Sequence, residues 1–262
     1  MKLITSRDNA QYKELKQLAT SSQARRKSGR TLLDGVHLCE AFFQHRGVPE
    51  MCVVSESALA DPEVAALIAQ CGKSNVATIH LPDALYQPLS QVENGVGILF
   101  LIATPALIPP ADINQTSVAL DNLQDPGNLG SILRSAAAAG VKNVFCSPGT
   151  VLAWSPKVMR AGMGAHFLLN IYENVDLARL LGEVNIPVLA TSSHTTKTIY
   201  VSKLDQPVIW LFGHEGQGVS EELMSMATET VTIPQQAAIE SLNVAASAAI
   251  CFFEQVRQQL AQ

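Results

Sequence analysis

The stretch that most constrains the fold is residues 230–254, TVTIPQQAAIESLNVAASAAICFFE. Its first four residues have the β-branched character of a strand, and a proline follows them. After a short loop comes an alanine-rich run with helical spacing. The sequence therefore predicts a strand, a loop and a helix here.

The helix predicted after this loop has one apolar stripe and one candidate cap. Helical spacing places the stripe on Ala245, Ala249, Phe253, Val256 and Leu260. The Ser241 hydroxyl lies where it can accept hydrogen bonds from the backbone N–H groups of the first turn. Glu240, Ser241 and Asn243 make the loop polar, so it is a candidate site, although an ordinary capped core helix has the same pattern.

Composition describes a globular protein of two domains or one large one. The chain has 262 residues, 47% of them apolar, and no run approaches the roughly 18 apolar residues of a membrane helix. The first residues lack the apolar segment of a secretory signal, so we expect a cytoplasmic protein without a membrane span. Five scattered cysteines without a CxxC pair predict buried, reduced thiols, and no histidine spacing predicts a metal site.

Positive charge is concentrated at the beginning of the chain. Residues 1–46 contain nine lysines and arginines against four aspartates and glutamates, a surplus of five; because the whole chain carries −5, the remainder carries −10. A basic segment on an acidic body is expected if that segment alone binds a polyanion, and a solvated surface is the alternative. The candidate contacts are Lys13, Arg25, Arg26 and Lys27.

Strand-like and helical runs alternate along the first hundred residues, which is typical of an α/β fold. A helix over residues 9–19 with Ser6 or Asp8 as its cap is followed by SSQARRKSGR, expected to be an exposed loop or helix end. Asp61 followed by Pro62 predicts another helix start. Proline-rich residues 105–116 predict a linker, which divides the chain into domains at 1–104 and 117–262.

The second half begins with a strand, SVAL, a polar loop over residues 121–130 and a helix, SILRSAAAAG, that ends at Gly140. Polar residues between a buried strand and a helix lie where open α/β sheets bind ligands. Arg134 is predicted one turn into the helix, where it reaches the strand ends or is an ordinary surface arginine. Further on, SPKVMRAGMGAHF is predicted to be a loop and PVIWLF a strand buried on both faces.

The glycine-rich turn after PVIWLF raises the question of a nucleotide site. Gly213, Gly216 and Gly218 are spaced as GxxGxG and not as the dinucleotide fingerprint GxGxxG, and no Walker lysine is present. A nicotinamide-dependent enzyme is therefore only a minor alternative.

Three segments resemble the motifs of the SpoU branch of the SPOUT RNA methyltransferases. They are LDNLQDPGNLGSILRSAAAAG at residues 120–140, VIWLFGHEGQGVSEEL at 208–223 and IPQQAAIESLNVAASAAI at 233–250. Their order and spacing match the family. ITSRDNAQYKELKQL and RTLLDG resemble more weakly the L30e-like RNA-binding domain that often precedes the catalytic domain.

The resemblance implies an α/β fold: a trefoil-knotted SPOUT parallel-sheet domain at 117–262 after an L30e-like α/β domain at 1–104. It implies a homodimer that uses S-adenosylmethionine to methylate a ribose 2′-hydroxyl in RNA, with rRNA preferred and tRNA as the alternative. The cofactor residues implied, mostly through backbone atoms, are Thr191, Gly213, Ile233 and Leu242. The functional polar residues implied are Asn128, Arg134, Glu215, Ser241 and Asn243.

Within this resemblance Arg134 is the residue that the family assigns to the hydroxyl proton. A guanidinium is a poor resting base, so orientation of the ribose or phosphate and stabilisation of alkoxide charge are the preferred roles. The third motif departs from the family at Gln235, Ala237 and Ala245, where methionine, glycine and serine are usual. A catalytically silent RNA-binding protein is the competing class, and the retained polar residues argue against it.

Overall fold

The computed structural model describes residues 1–90, 92, 95–236 and 241–261, so Ala237 and Glu240 lie outside the described residues. The chain forms two compact units. The N-terminal unit holds Met1–Ala106 together with Trp154–Phe167. The C-terminal unit holds Leu107–Ala153 and the chain from Leu168 onward.

The described residues of the first segment of the N-terminal unit form five strands and five α-helices. In chain order they are β1 (Lys2–Leu3), α1 (Ala10–Thr20), α2 (Ser22–Ser28), β2 (Arg30–Asp34), α3 (Val36–His45), β3 (Met51–Ser55), α4 (Pro62–Lys73), β4 (Ala77–Leu81), α5 (Asp83–Tyr86) and β5 (Ile98–Ala103). The strands form one sheet in the order β1-β4-β3-β5-β2. Strand β5 runs antiparallel to both of its neighbours.

Helices α1, α2 and α4 of this unit begin at residues whose side chains cap the helix. Asp61 accepts hydrogen bonds from Glu63 N and Val64 N, with Pro62 as the first helical residue, so the predicted start is confirmed. Helix α1 is capped by Asn9, whose Oδ1 accepts from the backbone N–H groups two and three residues on. The prediction of Ser6 or Asp8 as that cap was wrong by one to three positions.

The basic segment after α1, which was predicted to be an exposed loop or helix end, forms a separate helix, α2. Its Arg25 is buried, and the guanidinium Nη1 donates to the carbonyl oxygen of Leu18 at 2.6 Å. Burial lowers the pKa of Arg25. Arg25 therefore caps the carboxyl end of α1 and is not accessible as an RNA contact. Arg26 and Lys27 are exposed. Exposed Lys13 forms an ion pair with Asp8 at 2.9 Å.

The remainder of the chain continues the alternation of strands and helices. In order the elements are β6 (Ser117–Leu120), α6 (Pro126–Ala138), β7 (Asn143–Cys146), α7 (Pro156–Gly162), β8 (Asn170–Tyr172), α8 (Leu177–Glu183), β9 (Val188–Thr191), β10 (Ile209–Phe212), α9 (Glu221–Ser225), β11 (Glu229–Val231) and α10 (Val244–Leu260). Helix α7 lies in the segment that groups with the N-terminal unit.

The six strands β6 to β11 form a parallel sheet in the order β11-β9-β10-β6-β7-β8. Strand β10 lies in its interior, and all four of its residues are fully buried, which confirms the prediction for PVIWLF. Ile209 and Leu211 belong to an apolar core with residues of α8 and α9. On the other face Phe212 contacts Phe252 of α10 edge to face at 5.8 Å.

One helix begins earlier in the chain than predicted, and another forms where a loop was predicted. Asp125 caps α6 by accepting from Asn128 N at 2.7 Å, so this helix begins at Pro126 and includes part of the predicted loop. Arg134 is therefore about two turns into α6 and not one. Ser155 and Pro156 begin α7 in the same way, within a segment that was predicted to be a loop. In each case the cap-then-proline signal already recognised at Asp61 was present.

Helix α10 presents a different face to the sheet than predicted. Its buried residues are Ala245, Ala248, Cys251, Phe252, Glu254 and Gln255. Gln255 explains the shift, because its Oε1 accepts from Trp210 Nε1 at 2.8 Å and its Nε2 donates to Thr116 and Gln206. Phe253 and Leu260 of the predicted stripe are 49% and 82% exposed.

All five cysteines are buried and free, as predicted. Within the described ranges no cluster of three histidine, cysteine or acidic side chains is arranged to hold a metal ion. No helix in the described part of the chain is long and apolar enough to cross a membrane.

Candidate functional site

The candidate site of the C-terminal unit lies at the carboxyl ends of its central strands. Phe212 lies opposite Leu120, and Val231 lies opposite Thr191, so β6, β9, β10 and β11 end at the same edge. Among the residues singled out in the sequence, the loops that leave this edge carry Gly213, Glu215 and Ile233. Ligands of open parallel sheets bind at such an edge.

Glu215 connects the turn after β10 to the start of α6. Its carboxylate accepts hydrogen bonds from the backbone N–H groups of Gln124 at 3.2 Å and Asp125 at 2.9 Å, and from Asn128 Nδ2 at 3.1 Å. Partial burial raises the pKa of Glu215, but the donors at Asp125, Asn128 and Gln124 outweigh it and leave the pKa below its ordinary value. The carboxylate is therefore held ionised at neutral pH.

Asn128 and Asn243 extend this contact to helix α10. Asn128 Oδ1 accepts from Asn243 Nδ2 at 2.9 Å, and Asn243 Oδ1 accepts from Ala245 N and Ala246 N at 2.9 and 3.2 Å. An ionised carboxylate only accepts hydrogen bonds, so Asn128 must turn its NH₂ group to Glu215 and its oxygen to Asn243. We call Glu215, Asn128 and Asn243 the amide relay.

Asn243 is also the N-cap of α10, which corrects the expectation for Ser241. Ser241 is exposed and makes no hydrogen bond within the described residues. An amide two residues further on satisfies the first-turn N–H groups and still has its NH₂ group free to donate. Asn243 makes both kinds of contact at once, so asparagine at the cap links the helix to the relay.

A second connection joins the loop after β6 to the turn after β10. Asp121 N donates to the carbonyl oxygen of Phe212, and Asp121 Oδ2 accepts from Ser220 N at 3.0 Å. Ser147 Oγ donates weakly to Asp121 and accepts from Asn122 N at 2.8 Å. The turn over residues 213–220 is thus attached to the first motif at both of its ends.

Gly213 is required by the backbone of this turn. A Cβ atom there would lie 2.1 Å from Gly218 C and from Val219 N. Neither backbone group can move aside cheaply, so any side chain at Gly213 breaks the turn. Gly213 directly follows β10 at the sheet edge. Its packing role is separate from the cofactor contact, which stays a prediction.

Arg134 makes no hydrogen bond with the described residues of the amide relay. It is exposed, and it has no hydrogen bond or ion pair with any described residue. It lies six residues after Asn128 on α6, and at about 100° per residue the two side chains leave the helix on faces roughly 120° apart. The structure therefore does not bring Arg134 to Asn128 within one chain.

The remaining predicted cofactor residues flank the same edge. Thr191 ends β9 and is half-buried, and Ile233 follows β11 by two residues. Leu242 is half-buried beside the cap of α10. The sequence did not predict the roles of Asp121, Ser147 and His214, all of which hydrogen-bond backbone N–H groups of these loops.

Fold and site together define a class: a parallel α/β enzyme with a polar ligand site at the carboxyl ends of its strands. The profile of the SpoU rRNA methylase family matches residues 115–253. An uncharacterised tRNA/rRNA methyltransferase of Synechocystis is 34% identical over 98% of this chain and 94% of its own length. The chain belongs to the SpoU rRNA methylase family and is an RNA methyltransferase.

Other relatives agree with this assignment. The 23S rRNA (guanosine-2′-O-)-methyltransferase RlmB of Photorhabdus laumondii is 35% identical, over 54% of this chain and 59% of its own length. A solved RNA 2′-O ribose methyltransferase is 30% identical with a TM-score of 0.83, covering 98% of this chain and 99% of the other. An AdoMet-bound rRNA methyltransferase from Sinorhizobium meliloti is 25% identical with a TM-score of 0.86, covering 98% and 97%.

Proposed function

We propose that the protein transfers the methyl group of S-adenosylmethionine to a ribose 2′-hydroxyl of ribosomal RNA in the cytoplasm. The observation that carries the proposal is the amide relay at the carboxyl edge of a sheet whose sequence motifs and fold are those of the family. The solved relatives include an RNA 2′-O ribose methyltransferase and an AdoMet-bound rRNA methyltransferase. Transfer RNA is the alternative substrate.

One feature of the loop after β11 fits such a cofactor. The side-chain oxygen Oε1 of Gln235 is buried and has no hydrogen-bond partner among the described residues. A buried acceptor without a donor costs about 1–3 kcal/mol. An adenine amino group or an amino-acid ammonium supplies such a donor, so a cofactor that carries both suits this loop. Thr191, Gly213, Ile233 and Leu242 are proposed to hold it, mostly through backbone groups.

S-adenosylmethionine, when bound, supplies an already activated methyl group, so the protein's task is to align the ribose hydroxyl and manage its proton. Arg134 is free to bind RNA because no described side chain pairs with it. We assign it to orienting the ribose or its phosphate and to stabilising negative charge on the 2′-oxygen. The amide relay holds the loops of the site at a fixed separation. Ser241 contributes an exposed hydroxyl two residues before Asn243.

A homodimer completes the site in this proposal. Arg134 leaves α6 on a different face from Asn128 and has no partner among the described residues of its own chain, so it is available to the site of a second protomer. Helix α10 also carries two exposed apolar side chains, Phe253 and Leu260. Packing of these side chains against a second copy removes them from water.

The L30e-like RNA-binding domain is proposed to span residues 1–104, which lie within the N-terminal unit, and to be joined by 105–116 to the knotted SPOUT domain over 117–262. Its exposed Lys13, Arg26 and Lys27 are the candidate phosphate contacts. Lysine and arginine on an otherwise acidic chain direct the polyanion to this unit.

The test uses labelled S-adenosylmethionine with purified rRNA and tRNA from cells that lack the protein. A methylated 2′-oxygen blocks alkaline cleavage at its own phosphodiester, so the modified nucleotide is read as an alkali-resistant position. Arg134→Ala should abolish transfer and leave calorimetric cofactor binding unchanged, and Arg134→Lys should fail as well because it lacks the guanidinium fork. Label in a base, or only in tRNA, contradicts the proposal.

A further inference from the structure

His214 uses its side chain in a way that no motif predicts. Its ring nitrogen Nδ1 accepts two backbone hydrogen bonds, from Gly216 N at 3.0 Å and from Gln217 N at 3.2 Å. Its own backbone closes the same turn, because His214 N donates to Gly218 O and Gly218 N donates to His214 O. Four hydrogen bonds therefore define a turn of five residues.

Among the described residues, the same geometry recurs at three other positions. The side-chain oxygens of Asn9, Asp61 and Asn243 each accept from the N–H groups two and three residues further on. At those positions the pattern caps a helix. His214 is the imidazole counterpart, with Nδ1 in the place of an asparagine Oδ1, and here it organises a turn that continues into no helix.

Acceptance of two N–H groups fixes the chemical state of the ring. Nδ1 must be unprotonated, so the proton of the neutral imidazole is on Nε2. A proton on Nδ1 would face two other N–H groups and remove both hydrogen bonds. The two side-chain hydrogen bonds of the turn are thus made only by the neutral ring.

This turn presents Glu215, the residue that follows His214. Glu215 reaches Gln124 N, Asp125 N and Asn128 from a backbone conformation that the His214 ring fixes. An open turn lets that carboxylate leave its donors, and the amide relay then loses its terminal acceptor.

We propose that His214 is a positioning residue for methyl transfer, acting through the Gly216 and Gln217 amides to hold Glu215 in the relay; this rests on the proposed function. Methyl transfer is sensitive to small displacements of the groups that shape the site, and Glu215 is held in place through the His214 ring. Removal of the ring should therefore lower kcat/KM by about tenfold or more. Overall stability should change little, because the turn is largely exposed.

The experiment compares His214→Ala, His214→Asn and His214→Gln, with His37→Ala as a matched control on an exposed histidine of α3. Asparagine Oδ1 lies three bonds from Cα, as histidine Nδ1 does, and asparagine accepts the same pair of N–H groups at Asn9 and Asn243, so it should restore activity to within about twofold of the wild type. Glutamine has the same amide one methylene further out and should not. The loss should fall mainly on kcat, while calorimetric binding of S-adenosylhomocysteine changes by less than about threefold.

Two further measurements keep the inference separate from the proposed function. Hydrogen exchange of the peptide around residues 214–218 should become faster in His214→Ala and return to the wild-type rate in His214→Asn, whatever RNA the enzyme modifies. With an active substrate, His214→Ala should add nothing to Glu215→Ala, since both disrupt one contact. Failure of asparagine to restore exchange and rate, or independent losses in the double variant, would overturn the inference. Absence of ribose methylation in the wild type, with exchange behaving as expected, would count against the proposed function alone.

Discussion

At the scale of single residues, the contribution of Glu215 to the stability of the fold depends on the charge of its carboxyl group. The backbone donors at Asp125 and Gln124 and the Asn128 amide favour the ionised form, and together they lower the pKa in the folded protein despite partial burial. A carboxyl group with a depressed folded-state pKa stabilises the fold above its unfolded pKa, about 4.3 for glutamate. That stabilisation is lost as the pH falls through the lower folded-state pKa.

The first prediction follows from this loss of stability at low pH. Wild type should be more resistant to urea than Glu215→Gln at pH 6, because the amide cannot accept all three hydrogen bonds without turning its own NH₂ group toward a donor. The difference between the two urea midpoints should shrink as the pH falls below about 4, when the wild-type carboxyl takes up its proton. A difference that stays constant from pH 6 to pH 3 would show that the charge of Glu215 does not matter.

Replacing Gln235 should have opposite effects on the stability of the free protein and on its affinity for the cofactor. Its buried Oε1 has no partner among the described residues of the free protein. Gln235→Met should leave the free protein equally stable or more stable, since it removes an unsatisfied acceptor. The same change should weaken cofactor binding by about three- to tenfold, the value of one hydrogen bond.

Calorimetry with S-adenosylmethionine and thermal unfolding of the free protein measure the two effects of Gln235→Met. Gln236→Met is the matched control, because Gln236 is the exposed neighbour in the same loop. Equal cofactor affinity in wild type and Gln235→Met would exclude Gln235 from the pocket.

At the scale of elements, the Asn243 cap combines a structural and a functional contact that substitutions can separate. Asn243→Ala removes both and should cost about 0.5–2 kcal/mol of stability through removal of the cap. Asn243→Asp keeps an oxygen for Ala245 N and Ala246 N but cannot donate to Asn128. If Asn128 then rotated to donate to the introduced carboxylate, its oxygen would face the Glu215 carboxylate.

Asn243→Asp should therefore unfold at the wild-type temperature and yet transfer methyl groups more slowly, by about tenfold. Thermal unfolding and single-turnover rates measure the two properties on the same sample. An Asn243→Asp enzyme with the wild-type rate would reduce the contact with Asn128 to packing.

The helix and strand order of this chain was largely readable from its sequence, because buried strands such as Ile209–Phe212 are apolar runs bounded by turn residues. Helix starts at Pro126 and Pro156 were missed although each follows a capping side chain, since the polar residues around them resemble a loop. The buried face of α10 was mispredicted because Gln255 is polar, and its partners Trp210 and Thr116 are distant in sequence.

The site was predictable to a similar extent. Motif resemblance identified the members of the amide relay, but the direction of each amide follows only from the contacts among Glu215, Asn128 and Asn243. The Arg25 prediction failed because charge counts say nothing of burial, and a guanidinium that donates to helix-end carbonyls looks like any other in the sequence.

The exposed basic residues of helix α2 are predicted to contact RNA phosphates. Replacing Arg26 and Lys27 together by alanine should weaken RNA binding and reduce the slope of log K against log salt by up to about 1.8, or roughly 0.7–0.9 for each phosphate that is no longer neutralised. Lys73→Ala with Lys203→Ala removes the same charge from other exposed positions and should leave the slope near the wild-type value. Equal slopes for both double variants would mean that α2 acts only through net charge.

At the scale of the whole molecule, the separation of Arg134 from the amide relay predicts that two protomers share each active site. Two inactive parents test this prediction: Arg134→Ala, which keeps its relay, and Glu215→Ala, which keeps its arginine. Gly213→Val is unsuitable as the second parent, because a Cβ atom at Gly213 would lie 2.1 Å from backbone atoms and destroy the turn itself.

If Arg134 acts on the partner's site, a mixed dimer of the two parents has one site with both groups intact and one with neither. Random reassortment makes half of the dimers mixed, so the mixture should recover about a quarter of the wild-type sites. Purified mixed dimers, isolated with two affinity tags, should recover about half. If Arg134 acts within its own chain, every site lacks one group and the mixed dimer is as inactive as its parents. Methyl transfer by the tagged mixed dimer distinguishes these outcomes, and a protein that sediments as a monomer at the assay concentration would remove the basis for a shared site.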